Sequence, residues 1–156
     1  MDLLRRMGAK VTVDGSSVTV SPGKLKGCEI DIDATPDLLP ALAVAAAFAE
    51  GDTRFVNGAR LRIKESDRLT PCAQLLRDLG GKAEETADSL TVHGTGLTGG
   101  NTHGRGDHRI VMAAAIAAVG CTGPVTISGA EAVRKSYPGF FEDYRRLGGT
   151  ASEQIQ

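Results

Sequence analysis

The chain contains no tryptophan, and phenylalanine and tyrosine together supply only 4% of its 156 residues. Because 41% of the residues are hydrophobic, the core must be built from alanine, valine, leucine and isoleucine. An excess of charge of either sign is also lacking, since 18 basic and 19 acidic side chains give a formal net charge of −1. This balance argues against a nucleic-acid-binding surface and against a basic face for membranes.

Long apolar runs and paired cysteines are scarce as well. The apolar runs at residues 41–49 and 110–119 are far shorter than the ~20 residues of a membrane-spanning helix, so no membrane partner is expected. Cys28, Cys72 and Cys121 are odd in number and widely spaced, which indicates neither a disulfide framework nor a metal site. We predict that they are small core residues in a reducing compartment, which favours the cytoplasm.

What the chain does have is an internal repeat. Residues 75–82 (LLRDLGGK) echo residues 3–10 (LLRRMGAK), and residues 144–149 (YRRLGG) begin a third copy. The overlay places Arg68 on Lys135, each three residues before a proline, and this coincidence favours a shared anion site. Residues 3–8 resemble the end of a helix whose beginning is missing, so we expect a fragment of a larger protein.

Hydrophobic periodicity predicts an α/β fold. The two alanine-rich helices are apolar nearly all round, which is typical of buried helices enclosed by small sheets. Each copy follows the order β-β-β-α-β-α, and its cyclic starting point is free. The predicted hairpins are 9–21 and 82–93, the other strands 29–33, 52–57, 102–105 and 124–128, and the helices 36–49, 66–79, 107–119 and 136–147.

One apparent nucleotide-binding motif does not fit its surroundings. Residues 94–99 match the spacing G-x-G-x-x-G, but the next predicted helix begins only near Asp107. A dinucleotide site needs a helix that opens within the motif, so that the helix N-terminus meets the pyrophosphate. We therefore predict a loop at this position.

Residues 61–69 form the most highly charged segment, with five charged residues among nine at a strand-to-helix turn. Free backbone N–H groups at such turns hold anionic substrates. The alternative is a solvated turn, in which Ser66 caps the following helix and Asp67 favours its positive end.

Three ordered motifs then carry a resemblance. The pattern R-[IV]-K-E-[ST]-D-R stands complete at residues 62–68, D-H-R-[IM]-x-M at 107–112, and K-[ST]-[FY]-P at 135–138. The chain resembles the C-terminal half of the enolpyruvyl transferases, and most closely the EPSP synthase family. The resemblance implies two domains, each of three β-α-β-α-β-β units. Residues 1–156 are then a partial single domain with about two of the three units, and the partner N-terminal domain is absent.

The resemblance also implies a reaction. In that family the enolpyruvyl group of phosphoenolpyruvate passes to the 5-hydroxyl of shikimate 3-phosphate, in the pathway to aromatic amino acids that glyphosate blocks, without metal or organic cofactor. Asp37 is the implied general base and shikimate ligand, although beside a proline it equally suits a helix cap. Glu65, working with Lys64, is the implied proton donor to the methylene carbon. Lys64 also lies near the shikimate substrate in this reading.

Three cations match the family's phosphoenolpyruvate-binding positions, namely Arg68, Arg109 and Lys135, and arginine forks suit both carboxylate and phosphate. His108 and Arg60 are secondary candidates; the first is expected to orient its neighbours, and the second stands where some members place an asparagine. Two other readings stay open, a UDP-N-acetylglucosamine enolpyruvyl transferase and a non-catalytic binding module. We expect the isolated chain to be inactive, because half of the cleft is missing.

Overall fold

A computed structural model describes residues 1–63 and 67–153 of the chain. Two 3-10 helices, Pro36–Leu38 and Ala130–Lys135, accompany the regular elements. The helices are α1 (Asp2–Arg6), α2 (Leu39–Ala47), α3 (Arg60–Ile63), α4 (Leu69–Asp78), α5 (His108–Gly120) and α6 (Phe140–Arg146). The strands are β1 (Lys10–Asp14), β2 (Ser17–Ser21), β3 (Glu29–Asp31), β4 (Asp52–Val56), β5 (Lys82–Glu85), β6 (Leu90–His93), β7 (Gly100–His103) and β8 (Val125–Ser128).

A four-stranded sheet of order β3-β4-β6-β5 is the centre of the fold. Strands β3 and β4 run parallel, and the hairpin of β5 and β6 joins β4 in antiparallel register, with Thr53 opposite Val92. Strands β1 and β2 form a separate hairpin, and β7 pairs with β8 in parallel. Apart from the short α3, the segment from β3 to β6 has the order β-α-β-α-β-β, so the expected unit is confirmed.

Small side chains let the apolar helices approach closely. Helix α2 packs against both α4 and α5, and Ala43, Ala46 and Cys72 are at most 1% exposed. Burial of the alanine-rich helices is therefore confirmed, but the enclosure has an open side. Ile116 and Val119 of α5 are 48% and 74% exposed within the described chain.

The repeat seen in the sequence returns as a repeated junction after α1, α4 and α6. In each copy an arginine of the helix donates its Nε to the carbonyl oxygen of the residue six positions later, at 2.9–3.0 Å. In each copy a glycine then turns the chain with φ between +82° and +98°, a conformation that other residues adopt only at a cost. The arginines are Arg5, Arg77 and Arg145, and the glycines are Gly8, Gly80 and Gly148.

Two predicted helices begin later than expected, each for a reason that involves proline. Helix α4 begins at Leu69 rather than at residue 66, so that Pro71 lies in its first turn, where a missing N–H costs nothing. The predicted helix 136–147 is wrong at its start: the 3-10 helix ends at Lys135, and α6 begins only at Phe140, beyond Pro138. A residue before proline is disfavoured in the α conformation, which separates the two elements.

The structure also shifts the overlay of the two charged motifs. Gly58 and Gly129 open matching turns, because each carbonyl accepts a hydrogen bond from the N–H three residues later, at 2.9 and 3.3 Å. Counting from these glycines pairs Lys135 with position 64. These turns favour a different overlay from the predicted one, in which Lys135 matched Arg68.

The glycine-rich segment 94–99 is a loop, as predicted. A Cβ atom on Gly94 would lie 1.8 Å from the carbonyl oxygen of Ala49, so this glycine serves close backbone packing rather than a phosphate. Across the part of the chain that is described, no helix is both long and apolar enough to cross a membrane.

Candidate active site

Three helix N-termini meet at one carboxylate. Asp37 lies in the 3-10 helix that leads into α2, Arg68 immediately precedes α4, and Arg109 lies in the first turn of α5. Arg68 donates Nη1 to Oδ1 of Asp37, and Arg109 donates Nη2 to Oδ2 at 2.8 Å. The sequence motifs are thus brought together in space, around a group that lies far from both arginines in the chain.

Two aspartates fix the helices that carry the arginines. The carboxylate of Asp107 accepts the backbone N–H of Arg109 at 2.8 Å and so caps α5. The carboxylate of Asp67 accepts the N–H of Leu69 at 3.0 Å and the hydroxyl of Thr70 at 2.7 Å. Asp67 therefore caps α4, the role that the sequence suggested for Ser66, which lies outside the described residues.

The electrostatic balance keeps Asp37 ionised. A hydrogen bond from Arg68 lowers the pKa of the Asp37 carboxyl below its ordinary value, and the charges of Arg68 and Arg109 add to this against the opposing effect of partial burial. The side chain of Arg68 is only 16% exposed, whereas that of Asp37 is 54% exposed. The buried Nε of Arg68 has no hydrogen-bond partner among the residues described.

Lys135 reaches the same end of α5 from the second 3-10 helix. Its exposed Nζ donates to the carbonyl oxygen of Gly106 at 2.7 Å. That glycine and the preceding Arg105 both have positive φ, 71° and 52°, and the N–H of Arg105 donates to Nδ1 of His103 at 2.7 Å. This left-handed turn places the carbonyl oxygen that accepts from Lys135 next to the N-terminus of α5. The sequence analysis did not predict this turn, although the Arg-Gly pair before Asp107 could have indicated it.

The remaining predicted residues divide into three groups. His108 is half-buried at the start of α5, and its side chain makes no hydrogen bond to another described residue. Arg60 lies outside the cluster and pairs instead with Asp33, Nε to Oδ1 at 3.4 Å. Lys64 and Glu65 lie outside the described residues, so their predicted roles remain predictions.

The arrangement is suited to binding a small polyanion. Two guanidinium groups converge on Asp37 near the positive dipole ends of helices α4 and α5, and the ammonium group of Lys135 contacts Gly106 just before α5 begins. Within residues 1–63 and 67–153, no cluster of three or more His, Cys, Asp or Glu side chains could hold a metal ion. The carboxylate of Asp37, held among the cations, is the group of this cluster that can accept a proton.

A surface depression lies elsewhere and is not part of this site. It encloses about 480 Å³ and is lined by residues of β5 and β6 and by Arg77. Nε and Nη2 of Arg77 both donate to the carbonyl oxygen of Ala83, at 3.0 and 2.8 Å. None of the cations around Asp37 lines this depression.

The fold agrees with that of solved transferases. The chain superposes on EPSP synthase from Acinetobacter baumannii with a TM-score of 0.88 and 34% sequence identity, over 96% of this chain and 38% of that chain. It superposes on the enolpyruvyl transferase NikO from Streptomyces tendae with a TM-score of 0.80 and 27% identity, over 96% of this chain and 34% of the other. The fold is therefore that of an enolpyruvyl transferase.

Sequence comparison narrows the class to one family. The pattern of the EPSP synthase (3-phosphoshikimate 1-carboxyvinyltransferase) family matches residues 1–144. The 3-phosphoshikimate 1-carboxyvinyltransferase of Clostridium kluyveri is 46% identical over 152 residues, which are 97% of this chain and 36% of that relative. The chain belongs to the EPSP synthase family, and it spans about a third of the length of these relatives.

Proposed function

We propose that the protein containing this chain is a 3-phosphoshikimate 1-carboxyvinyltransferase. It transfers the enolpyruvyl group of phosphoenolpyruvate to the 5-hydroxyl of shikimate 3-phosphate and releases phosphate. The observation that carries the proposal is the carboxylate of Asp37, held between Arg68 and Arg109 at the N-termini of three helices. Membership of the family supports the choice of substrates.

The proposed substrate contacts follow from charge. Phosphoenolpyruvate carries a carboxylate and a phosphate, and Arg68 and Arg109 offer planar forks that match both groups. Lys135 adds a point charge beside the N-terminus of α5. These three cations bind phosphoenolpyruvate in the proposal, and Asp37 and Lys64 contact the shikimate substrate.

The proposed chemistry is addition followed by elimination. Asp37 takes the proton of the 5-hydroxyl while the hydroxyl oxygen bonds to the phosphate-bearing carbon of phosphoenolpyruvate. Glu65, working with Lys64, delivers a proton to the methylene carbon. Loss of phosphate and of one proton from the resulting methyl group then restores the double bond. The resident groups of the protein suffice for these steps, so no cofactor is part of the proposal.

We further propose that residues 1–156 are a partial domain, with about two of its three units, and that the other domain completes the substrate cleft. The 36% coverage of the relative from Clostridium kluyveri and the open side of α5 at Ile116 and Val119 support this division. The isolated chain is then inactive. The three free cysteines fit a reducing compartment, and the cytoplasm is the proposed location.

Phosphate release by the full-length protein tests the function. We expect turnover with phosphoenolpyruvate and shikimate 3-phosphate, a loss of about 10²–10⁴-fold in kcat for Asp37→Ala, and a raised KM for phosphoenolpyruvate in Lys135→Ala. Asp33→Ala is the matched control, because it removes a nearby aspartate that pairs with Arg60, and it should retain wild-type turnover.

Two results would contradict the proposal. Turnover with UDP-N-acetylglucosamine in place of shikimate 3-phosphate would keep the superfamily and refute the substrate. Absence of turnover with either acceptor would favour a non-catalytic binding module.

A further inference from the structure

The carboxylate of Asp37 occupies the position where the arginine forks present their donors. Arg68 and Arg109 each use a terminal nitrogen on Asp37, one on each oxygen. Those two N–H groups cannot serve a substrate carboxylate or phosphate while they are bound to Asp37. The proposed base and the proposed anion therefore compete for the same donors.

We propose that Asp37 is an internal anion that fills the phosphoenolpyruvate subsite when it is empty, and that an incoming anion displaces it and so frees it to act as the base. We call the group of Asp37, Arg68 and Arg109 the aspartate latch. The inference rests on the proposed function and adds a regulation to it: the base becomes available only after the anion site is filled.

The burial of the three side chains indicates which one moves. Arg68 is only 16% exposed and Arg109 is 28% exposed, so both are held by the surrounding fold. Asp37 is 54% exposed and lies in a three-residue 3-10 helix. Among the described residues, the two arginines are its hydrogen-bond partners, and nothing else holds the carboxylate in place.

The latch also links the strength of the base to occupancy of the site. In the latched state the hydrogen bond from Arg68 is the largest cause of the lowered pKa of Asp37. Displacement by a ligand anion removes that hydrogen bond and turns the arginine charges toward the ligand. The pKa of Asp37 then rises toward its ordinary value, so the carboxylate accepts a proton more readily at the time when an acceptor hydroxyl must lose one.

Anion binding by the full-length protein that contains this chain tests the latch. Calorimetric titration with inorganic phosphate and with phosphoenolpyruvate compares the wild type with Asp37→Asn, which removes the competing charge and retains the side-chain shape. We expect about three- to tenfold tighter binding in Asp37→Asn, the range given by one or two partly exposed ion pairs. Asp33→Asn removes the same charge from the pair with Arg60 and should bind as the wild type does.

Each other outcome overturns the latch. Equal tightening in Asp37→Asn and Asp33→Asn would mean that net charge alone is responsible. Weaker binding in Asp37→Asn would mean that Asp37 holds the arginines in place for the ligand. Absence of binding in every variant would mean that freed arginines do not form an anion site. Circular dichroism of each variant confirms that it is folded.

Arg109→Ala separates failure of the latch from failure of the proposed function. If Arg109→Ala abolishes anion binding while Asp37→Asn changes nothing, the anion site is correctly placed and the latch is wrong. If Arg109→Ala leaves binding unchanged, the anion site itself is misplaced, and the proposed function loses its main support as well.

Discussion

The internal repeat allows one substitution to be compared at two equivalent positions. Val20 in β2 and Val92 in β6 end the matching segments 17–20 and 89–92, on the second strand of each hairpin. Val92 is 0% exposed in the four-stranded sheet, whereas Val20 is 60% exposed. Valine-to-alanine changes at the two positions share their chemistry and strand propensity, and they differ in burial.

Burial sets the expected magnitudes. Replacing Val92 by alanine removes two buried carbon atoms, each worth about 0.8 kcal/mol of transfer free energy, and leaves a small cavity, so we expect a loss of about 2–3 kcal/mol. Replacing Val20 should cost about 0.5 kcal/mol, since most of its side chain is already in water. The difference corresponds to about 4–8 °C in Tm for a chain of this size.

Urea unfolding followed by circular dichroism at low protein concentration measures both variants. A lower midpoint with an unchanged slope reports a change in the free energy of unfolding. Equal losses for Val20→Ala and Val92→Ala would refute the reasoning, because they would show that the hairpin of β1 and β2 is packed as tightly as that of β5 and β6.

Three more predictions follow from single contacts. Arg77→Ala should lower the free energy of unfolding in urea by about 1–2 kcal/mol through loss of the forked hydrogen bond to Ala83, and an unchanged midpoint would contradict this. Burial raises the pKa of the Cys72 thiol, so in a chain without the other cysteines it should react with a thiol reagent only after unfolding. The hydroxyl of Tyr137 donates to Asp143 at 2.6 Å, which raises the pKa of Tyr137 and lowers that of Asp143. The stabilisation from this bond should be lost as pH falls through the lowered pKa and as pH rises through the raised one, and absorbance titration should show tyrosine ionisation at lower pH in Asp143→Asn.

Much of the fold could be predicted because its signals are local. The Asp14-Gly15 turn between alternating segments specifies the first hairpin, and Asp107 marks the start of α5. The start of α6 could not be placed by periodicity, because Pro138 divides an otherwise helical segment into two elements. The short α3 was not predicted, since one turn of helix carries too few residues to show a period.

The candidate site shows a different limit. The family resemblance of the motifs implied that Arg68 and Arg109 are cations for a shared ligand, and the structure brings both to Asp37. The sequence could not show that Arg68 and Arg109 both bind the carboxylate of Asp37. That contact depends on how α2, α4 and α5 converge. A tertiary contact of this kind leaves no periodic or compositional trace.

The arginine-and-glycine junction has a consequence for how such a protein can grow. Each junction is closed by a side chain that reaches a carbonyl only six residues away, so its geometry travels with the segment that encodes it. A gene duplication that copies this segment copies the complete junction at the end of a helix. Duplication can therefore lengthen the fold by whole units, because each new unit already encodes its own junction.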